Sequence, residues 1–186
     1  MQFYKKLFYS EFSNIQNELK QFVQHNIKLQ DTSTEYTYAC DYQNFTNLKQ
    51  FCLSYVKVPI QKTKIYLTPP GRKWDIHIDG TRNYANRIGL NFPIYNYTET
   101  FNYWWHNDII TEEEETVIHT KYGPIALFFD RDKYPPSDYT CIDDITIFRT
   151  DHFHTVENKG ESTRINLIIK FDHSDQDYEF EDFLRI

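Results

Sequence analysis

His77-Ile78-Asp79 and, far along the chain, His154 with Arg164 ten residues beyond it have the types and spacing that suit metal chemistry. Two imidazoles and one carboxylate make a facial triad for an ion such as Fe(II) and leave half of its coordination sphere open to reactants. Successive side chains on a strand alternate faces, so His77 and Asp79 project together while Ile78 enters the opposite layer. The third ligand must come from an element distant in sequence and adjacent in space, and the stretch from Asp144 to His154 supplies it. After a turn at Asn158-Lys159-Gly160, the segment Thr163 to Phe171 returns and carries Arg164 back beside the metal. A guanidinium there can grip a carboxylate at two points.

Neighbouring residues admit plainer readings. A half-buried strand with its polar face to water would by itself explain His77 and Asp79; the addition of His154 and Arg164 favours the metal. His152 lies on the same strand face as His154 and competes with it, but the interval to Arg164 selects His154 and leaves His152 at the pocket rim. Asp151 is placed to hold a ligand imidazole, a role carboxylates often fill. Trp104 and Trp105 are adjacent, so one is expected to face the core and the other to line a substrate groove. Arg82 and Arg149 are expected to pair with the abundant acids, whereas Arg87 enters the strand carrying Asn91 and is the arginine expected to meet an anionic substrate. Glu157 and Asn158 are expected to stabilise the turn after His154.

Apolar residues at helical spacing predict a helix between Ser10 and Asn26 and a second after Asp41 that ends before Pro59. From Lys62 onward, short segments rich in Ile, Tyr, Phe, Trp and Thr alternate with turn residues. They predict strands near 64–68, 74–79, 87–93, 102–106, 125–129, 142–149, 152–157 and 164–171. The segments from Asn107 to Gly123 and from Asp130 to Asp138 are expected to form rims. Strands after two helices suggest a β-sandwich or jelly roll, an all-β core with flanking helices preceded by two N-terminal helices.

A chain of 186 residues suits one domain: a helical part over 1–60, the β core over 62–171 and an acidic tail over 172–186. The net charge of −7 disfavours bulk nucleic-acid binding. Three cysteines without a CxxC pair point to a reducing compartment. No apolar run approaches the length of a membrane span, and the start Met-Gln-Phe-Tyr-Lys-Lys lacks the apolar stretch of a signal peptide. The expectation is a soluble protein of the cytoplasm, of unspecified oligomeric state.

The series Trp74-Asp-Ile-His77-Ile-Asp79-Gly80, Arg87-Ile-Gly-Leu-Asn91-Phe-Pro93-Ile94, Trp104-Trp105, Arg149-Thr-Asp-His-Phe-His154-Thr-Val-Glu-Asn158 and Arg164-Ile-Asn-Leu-Ile-Ile-Lys-Phe resembles the Fe(II)/2-oxoglutarate-dependent oxygenase superfamily. Within it, the series is similar to the aspartyl/asparaginyl β-hydroxylase-like branch and to small phage and giant-virus relatives, which would place the protein in a virus-infected cell. The resemblance covers roughly residues 64 to 171. It implies a cupin-like double-stranded β-helix, Fe(II) on His77, Asp79 and His154, and 2-oxoglutarate with its distal carboxylate on Arg164. Where that branch often has His-Leu-Pro-Leu, this chain has Asn91-Phe92-Pro93-Ile94, so the contact to the cosubstrate passes to a neutral amide. The implied activity consumes O2 and 2-oxoglutarate and hydroxylates an amino-acid side chain in a peptide or protein, or a small molecule. The competing reading is a catalytically inactive cupin-like module that binds a metal or ligand. A non-oxidative sugar isomerase is a weaker third, since such sites are commonly richer in His.

Overall fold

Strands dominate because β-branched and aromatic residues recur between turn residues from position 60 onward, a composition that fits a pleated surface. The structure, a computed structural model, describes residues 1–27, 37–80, 88–120, 123–130, 132–171 and 179–185. Its strands form two antiparallel sheets. The first runs in the order β1 (Tyr4–Lys6), β10 (Thr146–Arg149), β5 (Ile88–Tyr95), β12 (Arg164–Phe171), β3 (Ile60–Thr68) and β2 (Thr37–Cys40). The second runs β7 (Thr116–Thr120), β8 (Gly123–Phe128), β4 (Ile76–Ile78), β11 (His154–Asn158), β6 (Thr100–Trp104) and β9 (Asp138–Cys141). From β3 to β6, and again from β9 to β12, consecutive strands alternate between the sheets. The chain therefore winds around the space between them, which is the jelly-roll arrangement.

The main apolar core lies on the outer face of the first sheet. Leu90 and Phe92 of β5 and Leu167 and Ile169 of β12 pack there against helix α1 (Phe12–Asn26), helix α2 (Thr46–Tyr55) and the short helix α3 (Phe180–Phe183). Helix α1 contributes Ile15, Leu19 and Val23 from one stripe, as its periodicity predicts. Both Glu18 carboxylate oxygens accept from the first backbone amides of α2, at 2.5 Å from Thr46 and 3.1 Å from Asn47. The two helices are thereby tied together, and the free N–H groups of α2 are satisfied. Among the described residues no helix is long and apolar enough to cross a membrane.

The expectation of a β core preceded by two N-terminal helices is corrected here. Both helices form where the periodicity places them, but β1 precedes α1 and joins β10, while β2 lies between the helices and joins β3. The first sixty residues thus supply both edge strands of the first sheet, and a third helix packs near the other end of the chain. Strands as short as three or four residues show too little alternation to be read from sequence. The two expected rims also hold strands. β7 lies within the first and pairs with β8, β9 (Asp138–Cys141) begins at the last residue of the second, and the strand expected over 142–149 is confined to β10. Arg82, Arg87 and most of the acidic tail lie outside the described residues.

Asn158 closes the turn that returns β12 to the first sheet. Its amide donates to the carbonyls of Thr68 (2.8 Å) and Ser162 (2.9 Å) and accepts from Thr100 Oγ1 (3.2 Å) and the Gly160 N–H (3.0 Å). The residue is 1% exposed, so truncation strands buried partners that water cannot reach. Asn158→Ala is expected to cost at least about 2 kcal/mol of unfolding free energy. Urea titration checks this, and an unchanged midpoint refutes the role.

Candidate metal centre

The site begins with a strand of three residues. β4 is held between β8 and β11, and its register on β11 sets His154 directly opposite His77. The two imidazole centroids are 4.5 Å apart. Asp79 follows the strand end, where its backbone N–H donates to the Thr150 carbonyl at 3.0 Å. Behind it Gly80 takes φ 128°, a conformation that residues with a Cβ rarely adopt.

One ligand atom each from His77, Asp79 and His154 lies within 4.8 Å of the others. His77 Nε2 and Asp79 Oδ1 are 3.8 Å apart. An ion that binds nitrogen and oxygen at about 2.1 Å spans atoms up to about 4.2 Å apart, so small side-chain rotations close this triad around one. The tautomers suit the task as well. His77 Nδ1 is 2.7 Å from the Asp75 carbonyl, and His154 Nδ1 is 2.8 Å from the His152 carbonyl. A carbonyl only accepts, so each Nδ1 carries the proton and each Nε2 presents its lone pair.

Burial, reinforced by His77, pushes the His154 imidazole down to about 3 against the pull of Asp79, so it is neutral at physiological pH. A neutral imidazole is the form that binds metal. Burial opposes the charge on Asp79, but the Lys170 ammonium and then the two imidazoles outweigh it and hold the carboxyl well below the usual carboxylate range.

The triad opens on a cavity of about 220 Å³ between the sheets. β12 sends Arg164, Asn166, Ile168 and Lys170 into it, β5 sends Asn91, and Trp74, Phe148 and Val156 add apolar wall. Arg164 is 3% exposed, and its Nε and Nη2 have no hydrogen-bond partner among the described residues. Burial pushes its guanidinium down to about 10, with Cys141 acting in the opposite sense. The buried Oδ1 atoms of Asn102 and Asn166 also lack partners. Asn91 Oδ1 accepts from Asn166 Nδ2 at 3.3 Å.

His77, Asp79, His154, Arg164 and Asn91 therefore meet in one cavity. Three other expectations change. Trp104 and Trp105 are both buried: Trp104 stacks with Phe3 and Tyr4 and donates to the Arg149 carbonyl, while Trp105 sits in a second apolar cluster with Ile76, Phe128 and Phe153. Neither lines the cavity, because the segment around Tyr134 covers the face of Trp105 that the alternation would expose; its indole N–H donates to the Tyr134 carbonyl. Asp151 holds Arg149 and His152, both at 3.1 Å, and not a triad imidazole, whose Nδ1 positions are taken by backbone carbonyls. His152 precedes β11 and packs on Phe3, outside the cavity lining. Sequence reasoning missed Lys170 and Asn166, although the strict alternation of β12 from Arg164 onward would have found both.

A jelly roll with an open two-histidine, one-carboxylate cluster is the class that fold and side chains define. No family model matches the chain, and no curated protein matches its sequence. Among solved structures it is similar to SnoK, a non-heme α-ketoglutarate dependent carbocyclase from nogalamycin biosynthesis. The TM-score is 0.53 at 10% identity, over 92% of this chain and 80% of that one. It is also similar to EvdMO1, with TM-score 0.54 and 11% identity over 92% of this chain, which spans 47% of the length of EvdMO1. At these identities the likeness establishes the shared fold.

The depressed imidazole has a consequence for stability. The unfolded chain binds a proton at its ordinary value of 6.5 while folded His154 stays neutral to about 3, so the unfolded state gains protons first as pH falls. The metal-free protein is expected to lose stability between pH 6.5 and about 4, above the range where Asp79 titrates. His154→Gln is expected to flatten that decline; urea midpoints across the range decide, and equal slopes contradict it.

Proposed function

We propose that this chain is an Fe(II)- and 2-oxoglutarate-dependent oxygenase that hydroxylates an amino-acid side chain in a peptide or protein, or a small molecule. The observation that carries the reading is the buried Arg164 guanidinium, with unpartnered N–H groups, in the same cavity as the triad. A buried cation without an acceptor is costly, and a carboxylate is the ligand whose geometry satisfies it. The fold shared with an α-ketoglutarate dependent carbocyclase agrees with this.

Bound Fe(II) and 2-oxoglutarate would together activate O2, coupling decarboxylation of the oxo acid to succinate and CO2 with hydroxylation of a C–H bond. The chain's own residues hold the parts. His77, Asp79 and His154 would hold the ion through two nitrogens and one oxygen, a donor set that leaves positions open to reactants. Arg164 anchors the distal carboxylate, and Asn91, fixed by Asn166, lines the path between. Phe148, Val156, Ile168 and Trp74 exclude water. The site is also asymmetric. The His77 and Asp79 side chains are 25% and 27% exposed, whereas Arg164 is 3% exposed, so His77 and Asp79 lie towards the mouth and Arg164 lies deep. The cavity's 220 Å³ is small beside the ~300–1,000 Å³ of typical ligand pockets and suits one small dicarboxylate. The second reactant then reaches in from the mouth, which favours a side chain carried by a larger molecule. The β-hydroxylase-like branch, which the motif series resembles, acts on such substrates.

Anaerobic titration of the metal-free protein with Fe(II) and then 2-oxoglutarate tests this. A visible charge-transfer band that grows and saturates is expected, absent in His77→Ala. Arg164→Ala is expected to keep the metal and require on the order of tenfold to a hundredfold more 2-oxoglutarate. Iron binding without the band would favour the inactive binding module instead.

A further inference from the structure

β12 brings a second cation to the cavity. Lys170 is 5% exposed and shares the inward face of the strand with Arg164, Asn166 and Ile168. Three features place its ammonium beside the triad. Nζ donates to Asp79 Oδ2. It also stands 5.6 Å from the centroid of the Phe148 ring. Gly89, opposite Lys170 in the β5–β12 register, leaves the space: a Cβ there would lie 3.0 Å from Phe148 ring atoms and 3.5 Å from Nζ. The two carboxylate oxygens of Asp79 are thereby divided. Oδ2 belongs to the ammonium, and Oδ1 faces His77 Nε2 at 3.8 Å.

Charge extends the argument. Among the described residues lining the cavity, Asp79 is the one carboxylate, against the cations Lys170 and Arg164. A divalent ion adds to the positive excess, which in a low-dielectric space calls for a ligand with two negative charges. An ammonium has three donors, and Asp79 takes one.

We propose that Lys170 is a positioning and specificity residue: it holds Asp79 to ligation through one oxygen and receives the metal-side carboxylate of a 2-oxo acid, while Arg164 receives the far one. The inference rests on the oxygenase reading above. One strand thus reads both ends of the cosubstrate, and the site selects 2-oxo dicarboxylates over monocarboxylates.

The test uses the full chain loaded with Co(II), an O2-stable probe, with 2-oxoglutarate and pyruvate titrated calorimetrically. Pyruvate has the metal-side carboxylate and lacks the far one. Lys170→Met is expected to bind Co(II) as tightly or more tightly, with a changed visible Co(II) spectrum as Asp79 gains its second oxygen, and to bind both oxo acids about tenfold more weakly or worse. Arg164→Met is expected to weaken 2-oxoglutarate alone. Gly89→Ala, whose Cβ displaces the Phe148 ring that flanks the ammonium and leaves every charge in place, is expected to weaken both oxo acids, and it serves if Lys170→Met does not fold. Loss of Co(II) from folded Lys170→Met, or unchanged pyruvate affinity in it, overturns the assignment while the oxygenase reading stands. A native chain that binds Co(II) but neither oxo acid overturns that reading, and this inference with it.

Discussion

Side chains on a strand alternate with a period of two, so a slip of one residue between β4 and β11 would turn an imidazole out of the cavity. Everything at the site depends on the register that sets His154 opposite His77. A strand of three residues cannot hold that register alone. Its other edge is fixed by β8, with His77 opposite Leu127. Beyond its ends, the Trp74 N–H donates to the Val156 carbonyl and the Asp79 N–H to the Thr150 carbonyl. These bonds outside the strand extend the ladder on both sides, and the triad side chains inherit their relative positions from the backbone.

β12 shows how stability and chemistry share one element. Its odd-numbered residues Ile165, Leu167, Ile169 and Phe171 are at most 1% exposed and pack into the core beneath the helices. The even-numbered ones face the cavity. Burial of the apolar face fixes the strand's rotation about its axis, and that rotation aims Arg164 and Lys170 inward. The helices therefore serve the site although they do not touch it, because they cover the face that must stay dry.

The cavity is expensive for the fold. Arg164, Asn102 and Asn166 each keep a buried polar atom without a partner among the described residues, and such atoms are rare in native interiors. Lys170 is compensated by Asp79, and this pair also keeps the carboxylate ionised where burial alone would neutralise it. A protein interior that carries this cost beside a cluster of side chains able to hold a metal ion has the character of a site for a polar ligand.

His77, Asp79, His154 and Arg164 were legible in the sequence because the alternation of strand side chains, a local rule, already assigns their faces, whereas Asn91 was reached only through the resemblance of its motif. The two long helices were legible for the same reason, with a period of 3.6. The edge strands β1 and β2 were not, since a strand of three or four residues exists by virtue of the partner it pairs with. Trp105, Asp151 and His152 were misplaced because what covers a residue, and which acceptor reaches it first, depends on segments remote in sequence. The sequence by itself determined which side chains share a face along each strand. Only the tertiary structure decided which faces meet, and so which cations stand beside the His77, Asp79 and His154 triad, because contact between sheets is set by the winding of the whole chain and not by any local period.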